Sequence, residues 1–125
     1  EMGLPLADAA RLASGLGAGM GRLRDTCGAV SGMVLAASML RGYQDPKAVK
    51  EKKETYQMIQ ELVNRFKEEN GAYVCRELLG AKNADTDPGS PSDRTAGYYK
   101  KRPCKELVEQ AAQILEDYLQ AHPAQ

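Results

Sequence analysis

Three thiols are the most reactive groups in this 125-residue chain: Cys27, Cys75 and Cys104. They stand 48 and 29 positions apart. No CxxC pair exists, so neither a thioredoxin-type dithiol nor a zinc-ribbon knuckle is present. Their shared feature is position. Cys27 falls at the first or second residue of an expected helix, Cys75 in the first turn or so of a short one, and Cys104 directly after Pro103 at a third helix start. Helix N-termini present unpaired N–H groups and a partial positive charge, which favour thiolate over thiol. Each cysteine also has a cation beside it in sequence, namely Arg24, Arg76, and Arg102 with Lys105. Asp25, Glu77 and Glu106 sit equally close, so local charge is a draw and the helix-terminus argument remains. The competing reading is that a free cysteine is simply a small buried hydrophobe. For one cysteine that reading leads; for three at helix starts it does not.

Other chemistries find less support. The one histidine, His122, lies in a Pro-flanked tail, which removes His-rich zinc sites and speaks against a Ser-His-Asp or Cys-His machine. The run from Gly15 to Gly21 carries glycine at every second position, but G-x-G-x-x-G would need glycine where Met20 or Arg22 stands. No strand precedes it and G-x-x-x-x-G-K is absent, so it reads as a tight connection between packed helices. Seventeen Lys and Arg against seventeen Asp and Glu leave no net charge, which argues against a nucleic-acid partner. No general acid or base stands out beyond ordinary surface carboxylates, so enzymatic turnover is left unassigned.

The elements that position the thiols are expected to be helical. Strand signals are nearly absent. Leu6 to Ser14 reads as a short helix entered after Pro5. Asp25 or Thr26 is the expected cap of the next helix, which runs to Arg41 and stops at Gly42. It is apolar nearly all round, as a helix enclosed by others would be. Gly28 and Gly32, four apart on one face, would let a neighbouring backbone approach. Asp45-Pro46 signals a third helix, with a stripe of Val49, Tyr56, Ile59, Val63 and Phe66 that ends at Asn70-Gly71. Tyr73 to Leu79 allows about two turns. Ala81 to Ala96 reads as a long loop, and a last helix from Pro103 carries Leu107, Ala111, Ile114, Leu115 and Tyr118, ending near Ala121.

The expected fold is therefore all-α, a compact bundle of about five helices around a buried Gly/Ala-rich central helix. Twenty-two residues are Leu, Val, Ile or Phe, so the core is lean and relies on 17 alanines and 5 methionines. The longest uncharged stretch, Thr26 to Leu40, has 15 residues, short of the roughly 20 that a membrane span needs. With no secretory signal visible, reduced thiols and a cytoplasmic location are expected.

Four ordered segments carry a resemblance. Gly19-Met20-Gly21-Arg22, Thr26 to Gly32, Val74 to Gly80 and Arg102-Pro103-Cys104 resemble the C-GCAxxG-C-C family of redox-active proteins. The signature Cys-Gly-Ala-x-x-Gly falls on Cys27 to Gly32, and the later family cysteines fall on Cys75 and Cys104. The resemblance implies one helical domain over residues 1–125, with a further cysteine in a helix ahead of Glu1. It also implies a cysteine-based redox or metal centre, with an iron–sulfur cluster or another thiolate-bound metal as cofactor. Cys27, Cys75 and Cys104 would then be the redox residues or metal ligands, and Gly28 and Gly32 the cofactor-binding glycines. An unidentified redox partner is expected, and an Ala-rich face could pair two copies as a homodimer. The alternative is a non-catalytic helical interaction module with packing cysteines, in which Tyr98-Tyr99-Lys100-Lys101-Arg102 docks an acidic partner.

Overall fold

The computed structural model of the protein describes residues 3–79 and 104–123. The expected loop from Ala81 to Ala96 and the Tyr98–Arg102 patch lie outside the described residues. The described residues form five principal helices in chain order: α1 (Leu6–Ala13), α2 (Gly28–Arg41), α3 (Val49–Asn70), α4 (Cys75–Leu79) and α5 (Cys104–Ala121). A 3-10 turn (Ser14–Leu16) and a tight turn (Gly17–Met20) lead from α1 toward α2. Among the described residues the extended structure is a single antiparallel bridge between Thr26 and Val74. The all-α expectation holds, and no described helix is long and apolar enough to cross a membrane.

Three helices make the core, each packing on the other two. Val30, Met33 and Ala37 of α2, Met58, Leu62 and Phe66 of α3, and Leu107, Ala111 and Ile114 of α5 form one buried cluster. Each trio has the i, i+3 or i+4 spacing that keeps apolar side chains on one face of a helix. Ala37 and Phe66 are fully buried within this cluster and Ala111 nearly so. The far end of the bundle is tied where Arg41 Nη1 donates to the His122 carbonyl at 2.6 Å.

Four expectations shift. The cap of α2 is Cys27 rather than Asp25 or Thr26, because Thr26 is engaged in the bridge to Val74. The Asp45-Pro46 signal closes a turn ahead of α3 instead of starting it: Asp45 accepts Lys47 N–H at its carboxylate (2.9 Å) and Ala48 N–H at its carbonyl (3.0 Å). The buried face of α3 is Thr55, Met58, Leu62 and Phe66, so the stripe rotates and leaves Val49 and Tyr56 exposed. Helix α2 is open on one flank, where Leu35, Met39 and Leu40 are exposed, so its apolar surroundings are incomplete. The α3 stop matches: Gly71 adopts φ +83, and its N–H bonds the Lys67 carbonyl.

Candidate functional site

Cys27 and Cys75 are brought together by a short backbone ladder. Cys27 N–H donates to the Tyr73 carbonyl at 2.8 Å, Cys75 N–H to Asp25 at 2.6 Å, and Arg76 N–H to Arg24 at 3.1 Å. Side chains alternate along such a ladder. With Thr26 opposite Val74, Cys27 and Cys75 leave it on the same side. Each also begins a helix. Cys27 caps α2, with its carbonyl accepting Ser31 N–H at 3.0 Å, and Cys75 is the first residue of α4. Cys104 arrives from a third direction, at the first turn of α5.

All three cysteines line one cavity of about 220 Å³. Gly19, Arg24 and Gly28 also line it, and the other described residues on its wall are apolar or small. No disulfide joins the three thiols, and Cys75 is buried while the other two are half-buried. The Cys27 thiol is pushed above its ordinary 9.0, mainly because burial disfavours the thiolate. The N–H groups of Ala29 and Val30 pull the other way, while Cys75 and Cys104 reinforce the rise through like charge. The last effect is felt only because the three thiols share one space.

Arg24 changes the charge argument. It is 1% exposed, and its Nη1 lies 3.9 Å from Cys75 Sγ, within reach of a hydrogen bond to sulfur. Asp25, which cancels it in sequence, faces solvent. The draw between neighbouring charges is broken where Arg24, at φ +61, leaves the extended path and turns inward while Asp25 stays exposed. Arg76 does not enter the cavity wall; its Nε donates to the Arg24 carbonyl (3.2 Å) and its Nη2 to the Leu23 carbonyl (3.1 Å), clamping the backbone that carries Arg24.

The glycine run has a larger role than a connection. Ala18, Gly19, Met20, Gly21 and Arg22 all have φ between +55 and +73, a turn of left-handed backbone, and Arg24 lies at +61. Non-glycine residues there cost about 1–2 kcal/mol each. Gly19 is where the turn meets the site: a Cβ there would fall 2.6 Å from Cys75 Cβ and 2.7 Å from Arg24 Cα. Sequence reading passed over Gly19 and Arg24 as site residues. Gly19 stood only within the first segment of the family resemblance and Arg24 only as a cation beside Cys27, and the fold had to show which side they face.

The two glycines of the Cys27–Gly32 signature part company. Gly28 lines the cavity and sits against a backbone as expected, since a Cβ would fall 2.9 Å from the Leu16 carbonyl oxygen. Gly32 is away from the cavity wall, and a Cβ there would meet nothing within 4 Å. The expected close approach at Gly32 is thus corrected: α2 turns that position toward open space. Among the described residues no three Cys, His, Asp or Glu side chains form a group able to hold a metal ion. The cation beside Cys75 is the guanidinium of Arg24.

A family model described as "Putative redox-active protein (C_GCAxxG_C_C)" matches residues 1–118. No curated protein and no solved structure matches the chain.

Proposed function

Because this chain belongs to the C_GCAxxG_C_C family of redox-active proteins, we propose that Cys27, Cys75 and Cys104 form a thiol–disulfide site. The observation that carries the reading is the single cavity receiving thiols from three separate helix starts. In the first half-reaction a cysteine thiolate attacks one sulfur of a substrate disulfide. A protein–substrate S–S bond forms, the substrate's S–S bond breaks, and one substrate thiolate leaves to take a proton from water. A second cysteine then loses its proton and attacks the mixed disulfide, releasing the other substrate thiol. The substrate gains two electrons and the protein keeps an intramolecular disulfide. A reducing dithiol from a partner protein returns the pair of electrons and resets the site.

Cys27 and Cys75 are the favoured pair because they leave one side of the same ladder. The register makes them diagonal neighbours, for which Cα atoms are roughly 7–8 Å apart, so closing the pair requires a small chain movement as well as side-chain rotation. Cys104, on α5, is the third thiol, able to exchange with the pair.

The test is oxidation of reduced, anaerobically purified protein by an excess of a small disulfide, with peptide mapping of the product. We expect one intramolecular disulfide that uses Cys75, lost in Cys75→Ser. Three thiols still reduced at equilibrium would overturn the reading. So would stoichiometric iron with acid-labile sulfide, which would assign the same cysteines to a cluster instead.

A further inference from the structure

We infer that Arg76 is a positioning residue of the thiol site: its guanidinium holds the Cys27–Cys75 pair in the dithiol form and leaves its disulfide easily reduced. The inference rests on the thiol–disulfide reading for the reaction, and on separate observations for the positioning.

Arg76 follows Cys75 directly and ties it to the segment that leads into Cys27. Its main-chain N–H donates to the Arg24 carbonyl at 3.1 Å, and its Nε reaches the same oxygen at 3.2 Å. Its Nη2 reaches the Leu23 carbonyl at 3.1 Å. A planar guanidinium presents its donors in a fixed fork, so gripping two carbonyls sets direction as well as distance. The backbone it grips needs holding, since Arg22 and Arg24 stand at φ +66 and +61, where an L side chain is disfavoured. Two further bonds of the ladder, Cys27 N–H to the Tyr73 carbonyl and Cys75 N–H to the Asp25 carbonyl, lie on the Cys27 side of the fork.

Register gives the fork its effect on the sulfur chemistry. Thr26 faces Val74 in an antiparallel bridge, so Tyr73 stands opposite Cys27 and Cys75 opposite Asp25. Cys27 and Cys75 are diagonal neighbours, whose Cα atoms lie roughly 7–8 Å apart. A disulfide draws two Cα atoms to about 5.5–6 Å. The slide that shortens this diagonal carries residues 73–76 toward Cys27. The same slide carries Arg76 away from the Leu23 and Arg24 carbonyls that hold it. Closing the S–S bond and keeping the fork therefore compete for one motion. The fork is engaged in the dithiol and weakened in the disulfide, and that difference favours the dithiol. The oxidised protein then yields its disulfide readily to a reducing dithiol, as strained disulfides do.

The experiment equilibrates the reduced full chain with glutathione and glutathione disulfide at a series of ratios. Each protein disulfide formed splits one glutathione disulfide into two thiols, so two electrons and two protons pass to glutathione. Acid quenching, alkylation and peptide mapping read the fraction of Cys27–Cys75 disulfide. We expect Arg76→Gln to raise the equilibrium constant for that disulfide about three- to tenfold, the factor one exposed hydrogen bond supplies. For a two-electron couple this lowers the potential by about 15–30 mV. Arg76→Lys should match Arg76→Gln, because it keeps the charge and loses the fork. A merely structural arginine would lower the melting temperature and leave the constant unmoved. Hydrogen exchange of the wild type adds an arm that needs no variant: the Arg76 amide should exchange faster in the oxidised protein than in the reduced. A constant unchanged or lowered in Arg76→Gln overturns the inference. So does Arg76→Lys behaving as wild type, or an Arg76 amide equally protected in both forms. Absence of a Cys27–Cys75 disulfide at every ratio, in wild type and variants alike, sinks the redox reading and this inference with it; a normal disulfide indifferent to Arg76 sinks this inference alone.

Discussion

At the scale of single residues, the site is a matter of which side of the backbone each side chain takes. Arg24 and Asp25 are neighbours of opposite charge, yet one is buried on Cys75 and the other faces water. Cys27 shows how burial and backbone dipoles oppose each other on one sulfur, with burial the larger. That balance makes a pH prediction. A thiol whose ionisation is raised in the folded state holds its proton more tightly there than in the unfolded chain. Its contribution to stability is complete below the ordinary value of 9.0 and is lost as pH rises through the higher folded value. Urea unfolding should therefore show stability falling above about pH 9, and Cys27→Ala should flatten that fall, though other groups titrate there too. A slope unchanged by the substitution would place the loss on those other groups.

At the scale of elements, two glycines in one helix are expected to respond with opposite signs. Gly28→Ala puts a methyl 2.9 Å from the Leu16 carbonyl oxygen, too close to be accommodated unless that backbone shifts. The expected cost is about 1–3 kcal/mol, as for other overpacked sites. Gly32→Ala adds a methyl to open space in a helix interior, where alanine is favoured by about 0.5–1 kcal/mol. Melting temperatures of the two variants measure both signs. The pattern also explains why a four-residue glycine spacing misleads: it places two residues on similar faces of α2, but the neighbouring backbone crosses only one of them.

At the scale of the whole molecule, a three-helix core carries the fold while the cavity is assembled from chain segments at one end of it. Phe66 is fully buried in the shared cluster of α2, α3 and α5 and does not line the cysteine cavity. Phe66→Ala should cost about 3–5 kcal/mol in urea unfolding. Alkylation of the cysteines in the surviving folded fraction should keep its wild-type order, since the ladder between residues 24–27 and 73–76 is held by its own backbone hydrogen bonds. Scrambled reactivity without unfolding would show that the core positions the thiols directly.

Much of this arrangement is legible in the chain itself. Helical periodicity is local, so Leu107, Ala111 and Ile114 can be assigned to one face, and Asn70-Gly71 to a stop, from sequence alone. The three helix starts beneath Cys27, Cys75 and Cys104 are equally local, depending on breakers and capping residues close by. The features a single chain conceals are non-local. The pairing of Thr26 with Val74 joins segments 48 residues apart, and it decides both the cap of α2 and the meeting of Cys27 with Cys75 at one cavity. A stripe such as Val49–Phe66 marks a helix but leaves its rotation to its neighbours, here α2 and α5. Gly19 is indistinguishable from the glycines around it until Cys75 and Arg24 are seen to occupy the space of its missing Cβ. Sequence dictates the period and the ends of helices because those depend on residues a few positions apart; tertiary structure alone decides which faces meet, and with them the charge inside the cavity.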